Sequence, residues 1–231
     1  MKIGIIGAGQ IGGTLTRRLR KLGHEVFVAN SRGPETLADL GHETGATPVS
    51  AKEAAHRGEV VIVTIPEARV RDLPEDLFEG VGDNVAVVDT GNYYPRQRDG
   101  KIDEIEEGMP ESRWVERQIG HPVVKAFNNI YARHLLERGK PAGAQGRIAL
   151  PVAADDPAAK EVVMDLIDQL GFDPVDAGSL DESWRQQPGS PVYAEDFDKR
   201  GVVEGLAEAT PERLPDFSAT PDSPGSFEDP A

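Results

Sequence analysis

The sequence contains no cysteine, and that absence removes a disulfide framework, a thiolate nucleophile and any metal site built on sulfur. Redox chemistry, if there is any, must come from a bound cofactor, and no metal is expected. Long apolar runs are missing too. No stretch approaches the ~20 residues a membrane span needs, and Met1-Lys2 leads into an apolar strand without a signal-peptide pattern. A soluble, cytoplasmic protein with no membrane partner is expected. Basic residues are scarce, 25 against 40 acidic, for a net charge of −15. A chain this negative is a poor general binder of nucleic acid or of an anionic surface. The acidity is uneven: between Lys125 and Arg147, the residues Lys125, Arg133, His134, Arg138, Lys140 and Arg147 face one acid, Glu137. That patch either steers an anionic ligand or is a solvated face.

What is present, at the very start, is an ordered set of glycines. Lys2 to Ile6 reads as a strand, Gly7-Ala8-Gly9-Gln10-Ile11-Gly12 as a tight turn, and the residues after it as a helix with Ile11, Leu15, Leu19 and Leu22 at helical spacing. Gly23 closes the helix and Glu25 to Ala29 form a second strand, which completes a βαβ unit. In such a unit Gly7 makes the turn, Gly9 lets the backbone approach a pyrophosphate, and Gly12 lets helix and strand pack closely. Helix amides then receive the pyrophosphate. The second strand ends in Asn30-Ser31-Arg32, where an NAD site would carry an Asp or Glu for the ribose hydroxyls. A hydroxyl and a guanidinium suit a 2′-phosphate, so NADP is the expected cofactor. The alternative is that Ser31 only caps the following helix.

The β and α patterns keep alternating. Pro34 to Leu40 suggests a helix, Thr47 to Val49 a strand, and Ser50 with Glu53 a capping box for a helix to about Arg57. Val60 to Thr64 is a β-branched run suited to a strand buried on both faces. It ends in Thr64-Ile65-Pro66, either floor of the dinucleotide path or start of a helix over Glu67 to Leu73. Asn84 to Asp89 and Val123 to Phe127 are further strands, with Thr90 to Pro95 and Asn128-Asn129-Ile130 at their carboxyl ends. Ligands of open parallel sheets bind at such ends, so the Gly91-Asn92 pair with Tyr93 and Tyr94 either meets the nicotinamide ribose or anchors a loop. Asn128 either bonds the carboxamide or a substrate oxygen, or caps a helix. Lys101 to Gly120 reads as one or two surface helices anchored by Trp114 and Val115. Arg147 to Val152 and Phe172 to Asp176 bracket a helix that starts at Asp156-Pro157, with the stripe Val162, Val163, Leu166, Ile167 and Leu170.

The expected fold is therefore α/β: a Rossmann-type, doubly wound, mainly parallel sheet over residues 1–140, with a small C-terminal βαβ-like lobe and loop over 141–206 and a cleft between the two. Trp184 to Tyr193 lacks periodicity and suits a loop over a ligand or a dimer contact. Residues 207–231 hold five prolines and six acids against one basic residue, the composition of a disordered tail.

With Gly7 to Gly12, Asn30-Ser31-Arg32, Thr64-Ile65-Pro66, Val124 to Asn128 and Asp176-Ala177-Gly178 in place, the chain resembles the NADPH-dependent reductases of the deazaflavin coenzyme F-420, from residue 1 to about 180. The resemblance implies that Gly9, Gln10 and Ile11 hold the pyrophosphate and that Ser31 and Arg32 hold the 2′-phosphate. It also implies that Thr64, Ile65 and Pro66 line the path and that Ala126 and Asn128 lie near the nicotinamide. The chain departs from that family at Asn128, where a His is usual, and beyond Gly178.

The resulting expectation is an NADP-dependent oxidoreductase that passes hydride between NADPH and a deazaflavin or flavin ring as second substrate. Ring-to-ring transfer needs no strong general acid. Reduction of a small carbonyl or imine would need one, and His121, His134, Tyr93 and Lys125 are the candidates. A non-enzymatic NADP(H) sensor is a third reading. A homodimer fits the strand edges and the aromatic loop. No residue is assigned a catalytic role.

Overall fold

The structure is a computed structural model and describes residues 1–219. The chain begins β1 (Lys2–Ile6), α1 (Gln10–Lys21), β2 (Glu25–Ala29), α2 (Ala38–Thr44), β3 (Thr47–Pro48), α3 (Ala51–Arg57), β4 (Val60–Val63) and β5 (Ala86–Asp89). It continues α4 (Asp103–Glu106), α5 (Glu111–Ile119), β6 (Val123–Lys125), α6 (Ala132–Glu137), β7 (Ala149–Val152), α7 (Pro157–Gln169), β8 (Asp173–Asp176) and α8 (Lys199–Glu208). Strands β1 to β6 form one parallel sheet in the order β3-β2-β1-β4-β5-β6. This is the doubly wound order whose direction reverses beside β1.

The patterning explains the layers. All four residues of β4 are buried; Val60 and Ile62 join the apolar cluster with Leu15 and Leu19, while Val61 and Val63 join Trp114 and Val115 on the other face. A β-branched run that satisfies both faces at once can only be a central strand. Ser50 and Glu53 form the capping box of α3 reciprocally, and the Asp156 carboxylate caps α7 by accepting from Ala158 N. On α7 and its C-cap, Val163, Leu166, Ile167 and Leu170 are fully buried, which contributes roughly 1.5–3 kcal/mol per side chain. Val162, expected in that stripe, is exposed.

Strands β7 and β8 pair in parallel, and β7 is joined to β6 by the antiparallel bridge Lys125–Ala153. Ile148, Leu150, Val152 and the α7 stripe belong to the same cluster as Ile3 and Val60. The C-terminal βαβ-like unit is thus a separate two-stranded sheet, bridged to the edge at β6 and sharing the main core. Short helical stretches differ from expectation. Pro34–Leu37 and Glu67–Asp72 are 3-10 turns, the first running directly into α2. Residues 207–219, placed by composition in a disordered tail, are held: α8 runs to Glu208 and Pro215–Phe217 forms a 3-10 turn. The rest of that tail, 220–231, lies outside the described residues. Among the described residues no helix is long and apolar enough to cross a membrane.

Candidate functional site

The carboxyl ends of β1, β4, β5 and β6 converge on a cavity of about 440 Å³. Its first wall is the glycine turn. Gly9 is the N-cap of α1, with no side-chain cap and no acid in the first turn. The first helical bond runs from Gly13 N–H to the Gly9 carbonyl, 2.8 Å, so the amides of Gln10, Ile11 and Gly12 precede any helical partner. Gly9, Gln10 and Ile11 line the cavity. Gly7 and Gly12 do not; their part is packing. A Cβ on Gly12 would lie 1.9 Å from the Gly7 carbonyl oxygen and 2.7 Å from Thr64 Cγ2. Gly7, at φ +110°, adopts a backbone that side-chain-bearing residues avoid.

At the end of β2, Asn30 organises the turn. Its Oδ1 accepts from Arg32 N–H at 2.9 Å and its Nδ2 donates to Thr36 Oγ1 at 2.8 Å. The side chains of Ser31 and Arg32 are left exposed, without a hydrogen bond or ion pair among the described residues. The next turn is capped by Gly33, not Ser31, so the capping alternative for Ser31 falls away. These three residues lie outside the cavity wall itself.

Thr64, Ile65 and Pro66 form part of the wall, as do Thr90, Gly91 and Asn92 after β5. Asn128 also lines it, but its amide is already committed. Nδ2 donates to Asn92 Oδ1 (3.1 Å) and to the Gln186 carbonyl (2.6 Å), and Oδ1 accepts from Gln186 Nε2 (3.0 Å). Asn92 Nδ2 returns a bond to the Asn128 carbonyl at 2.8 Å. The pair cross-braces the loops after β5 and β6 and ties both to residue 186. Both donors of the Asn128 amide are thus paired inside the protein and present no free N–H to the cavity. It caps no helix either, since Tyr131 is the N-cap of α6. Ala126 is fully buried and does not reach the cavity. Phe127, next to it, takes φ +63°, a costly backbone for a bulky residue that turns the chain from β6 into the wall.

Beneath this floor is a buried ionic cluster. Lys125, with no exposed surface, donates to Asp89 Oδ2 at 3.0 Å and to the Gly91 carbonyl at 2.6 Å. Asp89 accepts Gly91 N–H at 2.8 Å and Ser112 Oγ–H at 2.6 Å. Burial works against the Lys125 charge, but the neighbouring carboxylates, Asp89 foremost, outweigh it and raise its pKa. Glu67 is fully buried behind Gly91, and neither of its oxygens has a hydrogen-bond partner among the described residues. Burial, reinforced by Asp89, raises its pKa well above the carboxylate range and favours the neutral acid. Composition and spacing had shown none of this. The available signal was a lone charged residue at the end of each of two apolar strands, Asp89 and Lys125, which demands a buried partner.

None of the four residues considered as proton donors faces the cavity. Lys125 lies under the floor, the Tyr93 hydroxyl accepts from Ile102 N–H, His121 meets the Pro122 carbonyl, and His134 pairs with Asp196. The basic run is likewise consumed internally, with Arg147 on Asp168 and Asp173 and Arg138 on Asp196. The far wall of the cavity is aromatic: Tyr94, Tyr131 and Tyr193, with Arg98 beside them. Burial raises the pKa of the Tyr94 and Tyr193 hydroxyls.

Comparison with known proteins agrees with this architecture. Residues 2–93 match the family described as NADP oxidoreductase, coenzyme F420-dependent. The F420-dependent NADP reductase of Methanocaldococcus jannaschii is 28% identical over 206 residues, covering 79% of this chain and 86% of that one. YjhV of Escherichia coli is 53% identical over 58 residues, and the match covers 25% of this chain and only 42% of YjhV. Among solved structures, the hypothetical protein SMa0349 of Sinorhizobium meliloti superposes with a TM-score of 0.73 at 31% identity, over 86% of this chain and 96% of that one.

Proposed function

We propose that this chain, whose residues 2–93 match the coenzyme F420-dependent NADP oxidoreductase family and which is similar to the F420-dependent NADP reductase of Methanocaldococcus jannaschii, transfers a hydride between NADP(H) and a deazaflavin- or flavin-type ring, the nicotinamide and the ring meeting in the cavity at the strand ends. The observation that carries the reading is the make-up of the wall. It offers free helix amides at one end and aromatic rings at the other, and no carboxyl, imidazole, amine or thiol lines it among the described residues.

The chain's own groups fit the dinucleotide. The amides of Gln10 and Ile11 hold the pyrophosphate, on a helix start that carries no acid to repel it. The cradle between Gly7, Gly12 and Thr64 is one a Cβ would fill. Ser31 and Arg32, kept clear of other partners, hold the 2′-phosphate through charge-assisted bonds. When bound, NADPH supplies the hydride and the acceptor ring supplies the electron sink. The protein supplies position. Lys125 and Asp89 clamp the Gly91 peptide from both sides, and Asn92 with Asn128 locks the neighbouring loop, so the floor is preorganised. Reduction of a small carbonyl or imine would need a primed proton donor; the hydroxyls of Tyr94 and Tyr193 are weakened as acids by burial.

The test is a titration of the protein with NADPH, followed by addition of the deazaflavin coenzyme and then of FMN or FAD, with the nicotinamide absorbance recorded. Oxidation on adding one ring supports the reading and names the acceptor. NADPH binding without oxidation by any of them removes it.

A further inference from the structure

The family match ends at Tyr93, yet one of the three tyrosines in the cavity's aromatic wall comes from 100 residues further on. Tyr193 and Ala194 line the cavity opposite the strand ends. The Tyr193 and Tyr94 hydroxyls hydrogen-bond each other, and the Phe217 ring lies 6.2 Å from both rings. Because the two hydroxyls satisfy one another, the rings are left to present faces and edges to the cavity.

The segment that delivers these rings is anchored at one buried point. Arg213 reaches Glu111, which has no exposed surface, at 2.8 Å. The same guanidinium donates to Gln187 Oε1 and to the Phe217 carbonyl, each at 3.2 Å, and stands 5.1 Å over the Tyr93 ring. Ala219 N–H adds a bond to Glu106 at 3.0 Å. Ala194 sits at φ +59°, a strained value for alanine that the surrounding contacts enforce. A proline-rich, acidic stretch with the composition of a loose tail is thus pinned across the site.

We propose that residues 187–219 form a strap that builds the acceptor's side of the cavity, with Tyr193 selecting a flat fused ring and Arg213 anchoring the strap. The inference rests on the hydride-transfer reading above and deepens it. The strap gives the acceptor an aromatic surface, while the glycine turn, Ser31 and Arg32 serve the dinucleotide at the other end. Loss of the strap's ring therefore weakens one substrate and spares the other.

The experiment measures two affinities separately in the full chain: NADPH alone, by fluorescence titration, and the deazaflavin ring in the presence of saturating NADP⁺, by difference spectrum, without turnover. Tyr193→Leu, which keeps bulk and removes the ring, should weaken ring binding about tenfold and leave NADPH affinity unchanged. Tyr193→Phe, which keeps the ring, should stay near wild type. Arg213→Lys keeps the charge Glu111 requires but loses the fork to Gln187 and Phe217, and should weaken the ring in the same selective way. Unchanged ring affinity in Tyr193→Leu overturns the inference while the hydride-transfer reading stands. So does an equal loss in Tyr193→Phe, or a parallel loss of NADPH. A wild-type protein that binds no ring overturns both.

Discussion

Replacing Asn128 by alanine separates a brace from a ligand. The substitution removes three buried hydrogen bonds: to Asn92 Oδ1, to the Gln186 carbonyl and from Gln186 Nε2. At a net ~1 kcal/mol each, the expected loss is about 3 kcal/mol of folding stability. For a chain of this size each kcal/mol moves the melting temperature by roughly 2–4 °C, so a fall of roughly 6–12 °C is expected by calorimetry. A double-mutant cycle with Gln186→Ala should return a coupling of about 1 kcal/mol or more, because the two amides share bonds. NADPH affinity should change little, since neither donor of the Asn128 amide is available to a ligand. The reasoning is refuted if Asn128→Ala melts like wild type and instead loses NADPH affinity, for then the amide serves the cofactor.

Three further outcomes follow from the site. Arg32→Ala should weaken NADPH about tenfold or more and leave NADH unaffected, read by parallel titrations; equal loss of both would show that Arg32 does not meet the 2′-phosphate. Gly12→Ala should abolish measurable NADPH binding and cost about 1–3 kcal/mol of stability, because its methyl would meet the Gly7 carbonyl oxygen at 1.9 Å; normal binding would remove the close-packing argument. Glu67 is protonated when folded and ionised when unfolded over the range from its ordinary pKa up to its raised one. The native state therefore binds the extra proton, and stability falls as pH rises through that window. Glu67→Gln should raise the melting temperature more at pH 8 than at pH 5, and an increment independent of pH would contradict a neutral buried Glu67.

Most of the frame was readable in the residues. The turn at Gly7 to Gly12, the double-sided run Val60 to Val63, the Ser50–Glu53 box and the Asp156 cap all rest on local geometry, which is where sequence patterns speak clearly. The parts that escaped are non-local. Nothing within a few residues of Asn128 points to Gln186, and nothing near Phe127 announces a left-handed backbone. Lys125 was counted with a surface patch because it is basic, although its place in an apolar strand beside Asp89 is what decides its burial. The stretch after Ala207 shows the limit of composition. Prolines and acids describe a chain that cannot bury enough apolar surface alone, yet the ion pair of Arg213 with a buried Glu111 and the bond of Ala219 N–H to Glu106 hold it as far as Ala219.

The apolar cluster that runs unbroken from Ile3 and Val60 to Leu150 and Leu166 also governs how the molecule can breathe. Two bodies with separate cores can jackknife about a linker; here, any such rotation would tear Ile148, Leu150 and Val152 from the flank of β6 and wet them together. Thermal melting should accordingly proceed as one cooperative event for the two sheets.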